Sequence, residues 1–343
     1  MRTRSFLARA ALALMVAFVM GVSASTASVL AQGGKSDQPN LSPDEQKMIT
    51  AITAAADPAA KFKAVEALIK KHPKTSARGR IAREAADQIA DLKDAAQKVT
   101  LAQQYAAIFT EPAEQQMIVP VLIDAFAAAN RVDEAFSTGA EFLARNPDSL
   151  FVLVGLMSIG TDQAKQKNPK FVPQSLQYGA HAIELMEADK KPGDIDDAGW
   201  KKYKGTALPS LYQSMGLLNL VKGDRVGAKA GLTKAAELAP TDAFNYLLLA
   251  GILNDEYQEA AKRYQSISGG PAKDEELKKI LASLDLVIEA YAHTIALAEG
   301  VERLAPARQQ YLQDLEAYYK YRHNNSTAGM QQLIDKYKVP AKP

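Results

Sequence analysis

Apolar residues recur at intervals of three and four along most of this chain, as in Leu101, Tyr105, Ile108 and Phe109, or Leu277, Ile280, Leu281, Leu284 and Val287. Such spacing lines one face of an α-helix, which turns once every 3.6 residues. Prolines and pairs drawn from Gly, Asn and Asp fall between these stretches. No run alternates apolar and polar with the period of two that a half-buried strand requires, so the pattern predicts an all-α protein with essentially no sheet. Individual helix starts are legible. In Ser42-Pro43-Asp44-Glu45 the serine caps free amides, proline suits the first helical position, and Glu45 completes a capping box. Asp57-Pro58 repeats that logic ahead of a helix ending at Lys71-His72-Pro73. Beyond Gly269-Gly270-Pro271 the pattern predicts long helices over about 273–299 and 306–322, then a short one to about 338.

The first residues follow a different rule. Arg2, Arg4 and Arg9 precede an apolar run from Ala10 to about Val22, and a Ser/Ala/Thr-rich stretch follows. A basic start, a short apolar core and small residues before a processing point describe a secretory leader. Val29-Leu30-Ala31 places the cut after Ala31, with Ser25-Thr26-Ala27 as a second candidate, so residues 1–31 are read as a signal peptide. The apolar core falls short of the roughly 20 residues a spanning helix needs. The uncharged stretch continues to Ala31, however, which keeps a retained anchor as the alternative. Residues 32–41, rich in Gly, Ser, Asp and Pro, are expected to form a flexible mature N-terminus.

Short helices joined by short turns invite a search for repeats. The clearest unit covers 209–242, with Tyr212-x2-Met215-Gly216-x2-Asn219, then Gly223-Asp224 at a turn, then Ala228-x3-Leu232, Ala235 and Pro240. It resembles the tetratricopeptide repeat, a helical hairpin of about 34 residues with the pattern W-x2-L-G-x2-Y, A-x3-F, P. Tyr replaces Trp, Met replaces Leu and Leu replaces Phe, each keeping bulk; Asn219 in place of Tyr does not. Gly216 and Ala228 are small where two helices of a pair would cross closely, Ala235 is small where the next helix would pack, and Pro240 stops the second helix. A second unit, 116–149, carries Val119, Leu122, Phe126, Asn130, Ala135, Phe142 and Pro147. The interval from Ala135 to Pro147 equals that from Ala228 to Pro240. Weaker units pair 150–159 with 175–186 across an insertion of about 161–173, and 243–253 with 260–267 across a short turn.

The resemblance implies an all-α fold: an α-solenoid of tetratricopeptide-like hairpins, wound as a right-handed superhelix, in a bacterial exported protein. Residues 42–115 would be degenerate N-terminal hairpins, 116–270 the repeats, and 271–343 capping helices that cover the apolar face a terminal repeat exposes. In proteins of this family the first helix of each pair lines a concave surface. Carried over position by position, the groove would be lined by Phe151, Val154, Gln213, Leu217, Leu220, Phe244 and Leu247. These are mainly apolar, and the Lys/Asn set with which some members grip a C-terminal carboxylate is absent. An apolar groove suits an amphipathic helix or extended peptide. The alternative is that the superhelix is tight, or the terminal helices fold back, so that these residues are core.

Composition narrows the function classes. With 23% charged and 47% apolar residues the chain is ordinary globular material. It has no cysteine, which excludes disulfides, thiol catalysis and cysteine-held metal. The three leader arginines exceed the whole formal charge of +2, so the remaining chain is close to neutral. That balance lacks the electrostatic footprint of a nucleic-acid binder or a polybasic membrane patch.

No nucleophile elbow, HExxH, full phosphate loop or calcium loop is present. Gly34-Lys35-Ser36 mimics the end of a phosphate loop, but Val29 stands where its first glycine belongs. His181 and Glu184 lie one turn apart, and two ligands do not make a metal site. The pairs Asp196-Asp197 and Glu275-Glu276 lie in a turn and at an expected helix start, where they favour the helix dipole. Trp200, beside Lys201, Lys202 and Tyr203, reads as a helix anchor, with ligand stacking as the alternative. Tyr311, Tyr318, Tyr319, Tyr321 and Tyr337 read as packing within the cap, or else as a partner surface. The sequence thus predicts a periplasmic or secreted scaffold that binds a protein or peptide, without catalytic residues, cofactor, metal or nucleic acid, and with no integral membrane segment in the mature chain. Self-association or envelope assembly is the alternative, a homo-oligomer included, and an enzyme comes third.

Overall fold

A computed structural model describes residues 41–193 and 195–338. The expected leader and almost all of the expected flexible start lie outside the described residues. Among the described residues the chain forms fourteen α-helices and two 3-10 turns, with no strand. Contacts divide these residues into two compact units, 41–162 with 173–200, and 163–172 with 201–338.

The first unit opens with α1 (Pro43–Ala54), α2 (Pro58–Lys71), α3 (Arg78–Ala90), α4 (Ala95–Ile108), α5 (Pro112–Ala128) and α6 (Val132–Leu143). The capping box at Ser42 is present: the serine hydroxyl accepts the Glu45 N–H at 3.3 Å, and the Glu45 carboxylate accepts the Ser42 N–H at 2.8 Å. Asp57 caps α2 through the Ala60 N–H at 2.9 Å, as expected, and α2 ends before His72 and Pro73. Neighbours pack in sequence and one further along. α2 lies against both α3 and α4, and α3 against both α4 and α5. That recurrence makes the architecture repeat-like. Ala135 and Phe142 are buried in α6. A Cβ on Gly139, a position the sequence reading passed over, would lie 2.5 Å from the Leu156 side chain.

Two helices begin or end away from where the sequence placed them. α7 (Leu150–Lys165) runs on through most of the expected insertion, and only the 3-10 turn Pro169–Phe171 separates it from α8 (Val172–Glu187). The apolar spacing explains the extension, because Leu156, Met157 and Ala164 are all buried and Thr161 returns its hydroxyl to the Met157 carbonyl at 2.8 Å. α9 (Asp197–Lys222) does not start at Pro209 but carries it internally. One lost hydrogen bond is tolerated there while Leu208 and Leu211 on either side of the proline are buried.

The second unit holds α10 (Arg225–Leu238), α11 (Ala243–Gln265), α12 (Pro271–Leu297), α13 (Ala305–Arg322) and α14 (Met330–Asp335). α9 turns into α10 through Gly223, at φ +87°, and Asp224 caps α10 by accepting the Gly227 N–H at 2.9 Å. The close crossing expected at Gly216 is there: a Cβ would lie 2.5 Å from Leu232 and 3.2 Å from the Ala228 carbonyl oxygen. Ala228 and Ala235 are fully buried.

The hairpin expected from 243–253 and 260–267 is instead the single helix α11. The intervening Asn254 and Asp255 are buried rather than at a turn, and Asn254 accepts the Tyr318 hydroxyl at 2.9 Å. α12 packs on α11, α13 on α12, and α14 on α12. Among the described residues α12 is the one helix long and apolar enough to cross a membrane, and half of its most apolar window is buried. Its Leu284, Val287, Ile288, Tyr291 and Ile295 supply the core shared with α11 and α13.

Candidate partner-binding surfaces

The seven groove positions do not share one environment. Phe151 and Val154 belong to the first unit, on the outer side of α7, where Phe151 is 36% exposed and Val154 half-buried. The side of α7 that carries them continues through Gly155, Ser158 and Ile159, all exposed or half-buried, and a Cβ on Gly155 would meet nothing within 4 Å. In the second unit Leu217 is 7% exposed and Leu247 only 2%, and both lie in the core cluster. Leu220 and Phe244 pack against that cluster, half-buried. Gln213 donates from Nε2 to the Asp242 carboxylate and the Asn245 side-chain carbonyl, each at 2.8 Å, which pins α9 to the start of α11. These five positions hold the second unit together because α12 lies across α11.

The tyrosines of the C-terminal helices are mostly interior. Tyr291 and Tyr311 stack at 4.4 Å, and the Tyr311 hydroxyl donates to the Leu247 carbonyl at 3.0 Å. Tyr318 meets Tyr257 edge-on at 5.5 Å, and its hydroxyl accepts from Gln258 at 2.7 Å. Burial raises the phenol of Tyr318 to about 12 and lifts that of Tyr311 further. Tyr319 is buried, whereas Tyr321 is exposed.

Trp200 is buried and its indole N–H donates to the Asp189 carboxylate at 2.8 Å, the contact of an anchored helix start. Asp189 itself sits at φ +55°, a left-handed conformation that ends α8. His181 lies 2.8 Å from Asp148 and 3.4 Å from Glu184. Among the described residues no three metal-ligating side chains gather into a site.

Three features escaped the sequence reading. Arg78 and the buried Glu114 form a forked pair, with Nε and Nη2 at 2.6 and 2.8 Å from the two carboxylate oxygens. Arg78 also donates to the Ile108 and Pro73 carbonyls, so this pair braces α3 against α5. The hydrogen bonds to Glu114 raise the guanidinium above its ordinary range. An open depression of about 570 Å3 runs along α10, lined by Val226, Ala230 and Thr233 and by the Lys229–Glu256 ion pair.

The third feature is the seat of α14. Lys336 donates to Glu289 at 2.6 Å, and the Tyr337 hydroxyl donates to the same carboxylate. His293 is stacked between Tyr246 at 3.8 Å and Tyr337 at 4.1 Å. The Lys336 and Tyr337 hydrogen bonds hold Glu289 below its ordinary range, and burial pushes the His293 imidazole down. Met330, Leu333, Ile334 and Tyr337 follow helical spacing in the sequence, so the signal for this amphipathic segment was present. Compared with protein-family models and with curated proteins, the chain matches none.

Proposed function

We propose that this chain is an exported, non-catalytic scaffold of tetratricopeptide type that binds a protein or peptide partner in the cell envelope. The observation that carries the reading is the crossing at Gly216. The repeat pattern demands a small residue there, and the backbones approach so closely that even a methyl group would overlap Leu232. The buried Ala228 and Ala235 stand at the other two small positions of the same unit. Export is supported by the basic–apolar–small order of residues 1–31.

The surface offered to a partner is the outer side of α7. Phe151, Val154 and Ile159 present apolar area at helical spacing, with Gly155 leaving the backbone open among them. A partner helix or strand would gain apolar burial there at little cost in desolvated charge. The test is crosslinking and mass spectrometry on the envelope fraction, comparing the native chain with Phe151→Glu/Val154→Glu. Both positions are exposed or half-buried, so the variant keeps its fold, unlike one altered at Leu217. A partner crosslinked to the native chain and lost from the folded variant supports the reading. Crosslinks that the variant leaves unchanged move the site elsewhere, and no enriched partner at all rejects the scaffold.

A further inference from the structure

α14 is only six residues long. Alone it would not be helical, because nucleation fixes several dihedrals before hydrogen bonds compensate. It is helical as docked. Met330, Leu333, Ile334 and Tyr337 stand at i, i+3, i+4 and i+7, the anchor spacing with which an amphipathic helix lies in a groove. Ile334 is buried and the other three are half-buried against the core cluster.

The segment upstream and the charges downstream point the same way. Residues 324–329 are all exposed, with Asn324 and Asn325 at φ +49° and +66° and Gly329 at +92°, so an irregular tether joins α13 to α14. Beyond the helix, Lys336 reaches Glu289 at 2.6 Å and Lys338 reaches Glu299 at 3.2 Å. Lys338 is shared with Asp335 of its own segment at 3.2 Å and Arg308 lies 4.0 Å from Glu299, so the charge match between segment and seat rests on the Lys336–Glu289 pair. An amphipathic helix on a tether, matched in charge to its seat, has the chemistry of a ligand held in cis.

We propose that residues 330–338 are a displaceable plug, and that the surface made by Tyr246 of α11, Glu289 and His293 of α12 and Glu299 in the turn after α12 is a docking site for a short amphipathic helix ending in a lysine–tyrosine turn. The chain's own tail is its resting occupant, and a partner segment with the same anchors and C-terminal lysines is the external one. This deepens the scaffold reading and rests on it for the partner. A tether of this length gives the tail an effective concentration on the order of millimolar, so a free peptide competes only when the tail is unseated.

The test uses the full chain with Ile334→Asp/Tyr337→Ala, which unseats the tail and leaves the seat intact. The probe is a fluorescein-labelled peptide of residues 328–338, followed by anisotropy. The variant should bind it at least ten-fold more tightly than the native chain, and adding Glu289→Lys should abolish that gain. Binding to neither protein, with the variant folded by circular dichroism, or equal binding to both, would overturn the proposal. Should the variant unfold, hydrogen exchange on the native chain decides. Amides of 330–338 exchanging at least ten-fold faster than those of 284–296 support a plug, and equal protection means the tail opens only with the core and rejects it. The two readings fail separately. Peptide binding without any envelope partner removes the scaffold and keeps the plug, whereas α7-dependent crosslinks without peptide binding do the reverse.

Discussion

Gly216 and Leu232 occupy one crossing between α9 and α10, and the space left there is smaller than a methyl group. Gly216→Ala should therefore cost about 1–3 kcal/mol through overpacking, despite alanine's better helix propensity. Urea unfolding would show it as a lowered midpoint, and Leu232→Ala, itself destabilising because Leu232 is fully buried, should cost less in the Gly216→Ala chain than in the native one. An undiminished midpoint in Gly216→Ala would mean the helices can slide apart and the crossing is not constrained. A second site owes its importance to charge. Glu114 is buried and both its oxygens are taken by Arg78. Arg78→Ala would strand that carboxylate in a low-dielectric interior, and a loss of about 3–5 kcal/mol is expected. Replacing both by leucine should cost less than the single change, since no unpaired charge remains. Denaturant titration of the three variants measures the difference.

At the scale of elements, α11 separates what local pattern can decide from what packing decides. The sequence reading starts a new helix at Ala260, where proline would be well placed in a first turn. The structure has Ala260 inside one continuous helix, so Ala260→Pro should cost about 3 kcal/mol or more and lower the thermal midpoint. A neutral substitution would restore the hairpin. The helix starts at Ser42 and Asp57 were legible because a cap is a local matter of one side chain and one amide. The continuity of α11 was not, because Asn254 and Asp255 resemble turn residues until Tyr318, far along the chain, supplies a partner for the first. The same holds for the groove. Leu217 and Leu247 stand at positions the resemblance points into a concave surface, and only the return of α12 across α11 makes them core.

The docked tail adds a dependence on acidity at this scale. His293 faces Tyr246 of α11, Tyr337 and Lys336 of the tail, and Glu289 on its own helix. Its folded pKa is depressed by burial, so the docked state favours neutral imidazole. That contribution is present above the unfolded value of about 6.5 and is lost as pH falls below it. Glu289, faced by Lys336, Tyr337 and His293, is also depressed, and its contribution is lost at still lower pH. Both act in one direction. Exchange of the 330–338 amides, corrected for the intrinsic rate, should speed up between pH 7.5 and 5.5 more than exchange in α12. Slower or unchanged tail exchange at pH 5.5 would show that stacking of charged imidazole on the two tyrosines outweighs its burial.

For the whole molecule the decisive quantity is charge, and where along the chain it sits. Arg2, Arg4 and Arg9 lie in the expected leader, and without them the formal charge of +2 becomes close to neutral. A chain so balanced should bind nucleic acid no better than a neutral surface does, whereas a protein making several phosphate contacts would lose on the order of a thousand-fold in affinity between 50 and 200 mM salt. The partner capture proposed for Phe151 and Val154 would rest on apolar burial, so its crosslinking yield should hold across that salt range. A steep decline would assign the contact to lysines instead. Processing is tested on the same preparation by intact mass: cleavage after Ala31 leaves a chain beginning at Gln32, and cleavage after Ala27 one beginning at Ser28. A mass that retains Arg2 to Ala31, in protein extracted only by detergent, would make the leader an anchor. The scaffold would then be fixed to the membrane surface, and its partner would have to be reached within the length of the segment that joins Ala31 to α1.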